Sequence, residues 1–104
     1  MADTLTRIYG PANIAADGAV FTGTVGHTYT IRGISLVNPT AAAITIALGI
    51  DGVADADLFL PDTIIDAGGL ASFDGVLVLE GEEAIHADVS ATGITITISG
   101  LDQS

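Results

Sequence analysis

The chain alternates between apolar and polar positions over much of its length. In Ile94-Thr95-Ile96-Thr97-Ile98-Ser99 every second residue is isoleucine and the others carry hydroxyls, until Gly100 ends the run. A period of two with one apolar set predicts a strand with one buried face. In Ala84-Ile85-His86-Ala87-Asp88-Val89, the residues Ile85, Ala87 and Val89 oppose His86 and Asp88. The intervening Ser90-Ala91-Thr92-Gly93 predicts a hairpin between these two runs. Residues 43–50 alternate likewise, with Ile44, Ile46, Leu48 and Ile50 on the buried side, and stop at Asp51-Gly52.

Two segments depart from the simple period. In residues 28–38, Tyr29 and Ile31 are odd while Ile34 and Leu36 are even, and a bulge at Gly33 brings both pairs to one face. Residues 73–79 are apolar on both faces past Gly75, with Leu77 and Leu79 opposite Val76 and Val78. A strand of that kind is either central in its sheet or covered on its outer face by a neighbouring molecule. Residues 5–9, 19–24 and 58–65 are shorter candidates, and Pro61-Asp62 makes the last a broken edge strand. No segment has helical periodicity, and turn signals recur about every ten residues. The expectation is an all-β chain: a single antiparallel β-sandwich, jelly-roll-like, of about seven to eight short strands. Residues 1–12 form an extended N-terminal arm or first strand, and residues 13–104 the sandwich domain.

Composition changes what the surface must be. Of 104 residues only Arg7 and Arg32 are basic, thirteen are acidic, and charged residues make up 14%. A globular domain is ordinarily about a quarter charged, so part of this surface is expected to be hidden from water in the working state. With a net charge of −11, the free surface repels nucleic acid and anionic lipid, so neither is expected as a partner. The absence of cysteine excludes disulfides and thiolate chemistry. The start, Met1-Ala2-Asp3-Thr4, has no basic and apolar leader pattern, and no apolar run reaches the roughly 18 residues that a bilayer requires.

Candidate chemistry is sparse. Asp51, Asp55 and Asp57 share a loop with Gly52, the oxygen-rich arrangement that suits calcium. The loop lacks the D-x-D-x-D-G spacing and a terminal glutamate, which favours a solvated acidic loop. Glu80, Glu82 and Glu83 around Gly81 read as turn residues before they read as a catalytic pair. His27 and His86 have no second imidazole at strand spacing, no serine sits in a G-x-S-x-G elbow, and Gly23-Thr24-Val25-Gly26 is not followed by lysine or a helix. Tyr9, Phe21, Tyr29, Phe59 and Phe73 are scattered as core and interface anchors, with a sugar-facing Tyr29 as the alternative. No enzyme activity, cofactor or metal is expected. Arg7 and Arg32 either pair with carboxylates across a subunit boundary or form ordinary surface salt bridges within the chain.

Several stretches together resemble a group of small β-sandwich virion proteins of tailed bacteriophages. They are Thr28-Tyr29-Thr30-Ile31-Arg32-Gly33-Ile34-Ser35-Leu36-Val37-Asn38, the strand over 41–49, Leu79-Glu80-Gly81-Glu82-Glu83-Ala84-Ile85, and the run from Thr92 to Gly100. The likeness lies in pattern and strand order from about Tyr9 onward. It implies a structural protein of the virion, assembled in the host cytoplasm: a capsid decoration or minor head protein, with a tail-associated adaptor or receptor-binding component as the alternative. Its partners are then copies of itself, as a trimer, and other virion proteins such as the major capsid protein. Subunit contacts are expected at Leu5, Arg7, Tyr9, Arg32, Val76 and Val78. A calcium-dependent carbohydrate-binding module is a further alternative, resting on the Asp51, Asp55 and Asp57 loop.

Overall fold

A computed structural model describes residues 6–14, 17–54 and 57–103. The period-two segments become eight strands: β1 (Thr6–Asn13), β2 (Gly18–Thr22), β3 (Thr28–Val37), β4 (Ile44–Ile50), β5 (Leu58–Ile65), β6 (Leu70–Glu80), β7 (Ala84–Val89) and β8 (Thr95–Gln103). They form two antiparallel four-stranded sheets, ordered β1-β8-β3-β6 (sheet A) and β2-β7-β4-β5 (sheet B). The neighbours β1·β8, β2·β7, β3·β6 and β4·β5 match the first half of the chain, strand for strand, with the second half run backwards. A ribbon so paired and wound over two sheets has the jelly-roll form of the β-sandwich.

The inward residues of each strand make the core. Ile31, Ile34, Leu36, Leu79, Ile96 and Ile98 of sheet A meet Ile44, Ile46, Leu48, Ile65, Ile85 and Ala87 of sheet B, all buried. Each large side chain there contributes about 1.5–3 kcal/mol by leaving water. The β3 bulge falls where the period breaks, since Arg32 and Gly33 together oppose Ser99 of β8, and Tyr29, Ile31, Ile34 and Leu36 all face inward. β5 is an edge strand, and its break is a bulge: Leu60 and Thr63 pair with Leu48 and Ile46, leaving Pro61 and Asp62 out of register.

One expectation is corrected. β7 and β8 are not a hairpin, because β7 lies between β2 and β4 in sheet B and β8 between β1 and β3 in sheet A. Alternation fixes which face of a strand is buried but not which strand lies beside it. Residues 90–93 instead cross between the sheets. Ser90 accepts the Thr45 N–H on its Oγ and donates its own N–H to the Thr45 carbonyl, both at 2.9 Å. Of the two alternatives for residues 73–79 the central strand is not realised, since β6 is an edge of sheet A.

The aromatics are not scattered either, for they draw the two sheets together at their open sides. Tyr9 of β1 meets Phe21 of β2 at 5.6 Å between centroids, and Phe21 meets Tyr29 edge-on at 5.3 Å. At the opposite side Phe59 of β5 meets Phe73 of β6 edge-on at 5.2 Å. Tyr29 is core, its hydroxyl accepting the Thr24 N–H at 3.0 Å. Close approach beneath it requires Gly23, where a Cβ would come within 2.2 Å of the Gly81 carbonyl.

Candidate functional site

β6 alternates except at Gly75, which is exposed between Asp74 and Val76 where the strand bulges against β3. Ala71, Phe73, Leu77 and Leu79 turn toward the core, while Leu70, Ser72, Asp74, Val76, Val78 and Glu80 turn out. Leu70 is 67% exposed, Val76 65% and Val78 47%, so the outer side of this edge strand is an apolar strip in water. On the neighbouring edge of sheet B, Ile64 of β5 is exposed as well. Beside the strip, Thr95, Thr97, Ser99, Ser35 and Thr30 of β8 and β3 are short and hydroxylated, while Val37, opposite Leu70, is exposed and apolar.

Both arginines belong to this sheet. Arg7 of β1 pairs with Ser99 of β8, Ser99 with Gly33 of β3, and Gly33 with Asp74 of β6, which sets Arg7 and Asp74 at the two ends of one cross-strand row. Arg32 adjoins that row at the bulge, and both arginines are exposed. Among the described residues neither has a carboxylate within salt-bridge distance, so the expected alternative of an intramolecular surface pair is not seen there. Tyr9 lies elsewhere: it faces inward from β1 and, with Asn13, Ile14, Asp17, Ala19, Val20 and Ile96, lines an open cavity of about 250 Å³ between the edges β1 and β2. Leu5 lies outside the described residues. The six expected contact residues are thus not one patch. Val76, Val78, Arg32 and Arg7 share sheet A, and Tyr9 belongs to the cavity.

The acidic clusters do local structural work. Asp51 adopts φ 60°, donates its N–H to the Ala84 carbonyl and accepts the Ala84 N–H on Oδ1, both at 2.8 Å. This extends the β4·β7 ladder by one residue past Ile50 and Ile85. Asp57 donates its N–H to the Ala54 carbonyl at 2.8 Å, and its own carbonyl accepts the Ile50 N–H at 3.0 Å. Its carboxylate packs over Gly52, where a Cβ would approach Oδ2 to 2.8 Å. Asp55 lies outside the described residues, and among these no three His, Cys, Asp or Glu side chains gather as a metal site. Glu83 folds back so that its Oε1 accepts the Glu80 N–H at 2.7 Å. His27 stands 2.7 Å from Asp102 through Nδ1 and stacks on Tyr29 at 5.8 Å, tying the β2–β3 loop to the end of β8. His86 is half-buried on sheet B, between Ala19 and Gly49 in register.

Two residues escaped the sequence reading. Asp74 shares the outward parity of Val76 and Val78, a signal present in the alternation itself. Asn38 is the buried polar residue of the core, where Nδ2 donates to the carbonyls of Ala42 and Ile65 at 2.8 and 2.9 Å. Its Oδ1 accepts from the Thr40 N–H and hydroxyl, and its backbone pairs with Gly68 and Gly69. No family model, curated protein or solved structure matches the chain.

Proposed function

We propose that the protein is a non-enzymatic structural subunit that works as a symmetric homo-oligomer, and that its setting is the virion of a tailed bacteriophage, where it decorates or reinforces the head. The observation that carries this reading is the apolar strip Leu70, Val76 and Val78, exposed on an edge strand of a chain with only two cations. An edge of that kind is where another molecule docks. The chemistry-bearing groups support it too, since Asp51, Glu83 and Asp102 are engaged in holding turns and strand ends. The jelly-roll form recurs in viral capsid and lectin domains, a likeness of fold that lends support by analogy. Other virion proteins, the major capsid protein first, are the remaining partners.

Val76→Asp and Val78→Asp are expected to abolish association in light scattering at low micromolar concentration and to leave the far-ultraviolet circular dichroism unchanged. A wild-type chain that stays monomeric contradicts the oligomer. Electron microscopy of the particles that carry the chain should find it on the head surface, and its absence from purified particles overturns the virion setting.

A second reading, a tail-associated component that binds a host sugar, draws on the cavity, where a half-buried tyrosine ring lies with an asparagine and an aspartate. Glycan binding lost in Tyr9→Ala separates it from decoration. The calcium-dependent module predicts a melting temperature lowered by chelation. With Asp51 and Asp57 engaged as described, we expect no shift.

A further inference from the structure

We infer that two copies of the chain pair through β6, antiparallel about a two-fold axis at Gly75, so that sheet A continues from one copy into the next and Arg32 of each reaches the partner's Asp74. This rests on the self-assembly reading above and specifies its geometry.

The four sheet edges differ in how they are guarded. β1 carries Arg7 and Pro11 and shifts register twice against β8. β2 is only five residues long and shifts once. β5 bulges at Pro61. Short length, proline, cations and bulges are the devices that keep strand edges from pairing with other chains. β6 runs for eleven residues with no proline and no cation. Its one register shift is a bulge of its own, Gly75 and Val76 standing against Arg32 between the pairs Ile31 with Leu77 and Gly33 with Asp74. The residues on either side keep one alternation, and the edge is the longest and least guarded of the four.

The chemistry of that edge selects its own copy as occupant. Opposed residues of an antiparallel pair point to the same face, so the core face continues only if outward residues oppose outward ones. A two-fold axis at Asp74 would set that carboxylate against itself, and one at Leu77 would set Asp74 against Glu80, and like charges in opposition destabilise a pair. With the axis at Gly75, Asp74 opposes Val76 and Phe73 opposes Leu77. Ile31 pairs with Leu77 and Gly33 with Asp74, which puts Arg32 against Val76 and Gly75. The partner's Asp74 then lies in line beyond Val76, two strand spacings or about 10 Å from Arg32. An arginine laid over the valine spans that distance, its stem on apolar surface and its guanidinium on the carboxylate. An axis at Val76 moves the partner's Asp74 opposite Val78, out of line with Arg32. Arg32 and Asp74 both lack an ion-pair partner among the described residues. The symmetry is isologous, each copy giving and receiving the same contact, and of order two where a trimer was expected.

The chain has no cysteine, so Gly75→Cys is a clean reporter. Directly opposed residues have Cα atoms about 4.5–5.5 Å apart, within the span of a disulfide. A Cβ at this position meets nothing nearer than the Phe73 ring at 3.4 Å. Mild oxidation with diamide should convert the Gly75→Cys protein to a covalent dimer, while Ala19→Cys on β2 stays unlinked. Arg32→Glu and Asp74→Arg should each raise the dimer Kd about tenfold, and the double variant should restore it, with circular dichroism confirming that each is folded. A stable trimer, a dimer indifferent to both charge reversals, or an unlinked Gly75→Cys protein overturns this pairing and leaves self-assembly standing. A wild-type monomer at every concentration overturns both.

Discussion

At the scale of single residues, Asn38 and Asp51 carry more than their neighbours. Asn38 satisfies the ends of β3 and β5 and the turn at Gly68 and Gly69 from one buried side chain and its own backbone. Truncation leaves buried carbonyls and donors without partners, each costing about 1–3 kcal/mol. Asn38→Ala is therefore expected to lose about 3 kcal/mol or more in urea denaturation. Asp51 combines a left-handed backbone with an acceptor for Ala84. Asparagine tolerates that conformation and keeps the acceptor. Asp51→Asn should be near neutral, and Asp51→Ala should cost about 1–2 kcal/mol in the same titration. In the sequence Asn38 reads as the end of residues 28–38 and Asp51 as a strand stop and candidate calcium ligand, because neither the backbone conformation nor a partner some thirty residues away leaves a local trace.

At the scale of elements, the strands were legible because a half-buried sheet forces a period of two. The broken period at Gly33 announced the β3 bulge, and Pro61 announced an edge. Neighbour relations were not legible. The alternation in residues 84–89 and 94–99 is the same whether they pair together or lie in opposite sheets, so the expected hairpin dissolved into an inter-sheet crossing. The outward apolar set of β6 was visible in Val76 and Val78, while its place at an edge, and the meaning of Asp74 within it, depended on pairing. The aromatic contacts at the open sides were hidden for the same reason. They hold the sheets where no backbone hydrogen bond can. Phe59→Ala is expected to lose about 2–3 kcal/mol in guanidinium titration, by removing the ring that packs on Phe73. A change well under that would mean that β5 and β6 are joined by other means.

At the scale of the whole molecule, charge and apolar surface are distributed unevenly. Both cations lie on sheet A, the acidic turns lie at strand ends, and the exposed apolar strip follows the least guarded edge. A chain of this kind gains by covering β6 and by keeping its acidic rim in water, where like charge limits further growth. Sedimentation velocity of the wild-type chain over a micromolar range of concentration tests the claim that it assembles through this edge most directly. Pairing through β6 gives a species of twice the 10.4 kDa chain mass that Val76→Asp returns to monomer. A single 10.4 kDa species at every concentration would contradict it.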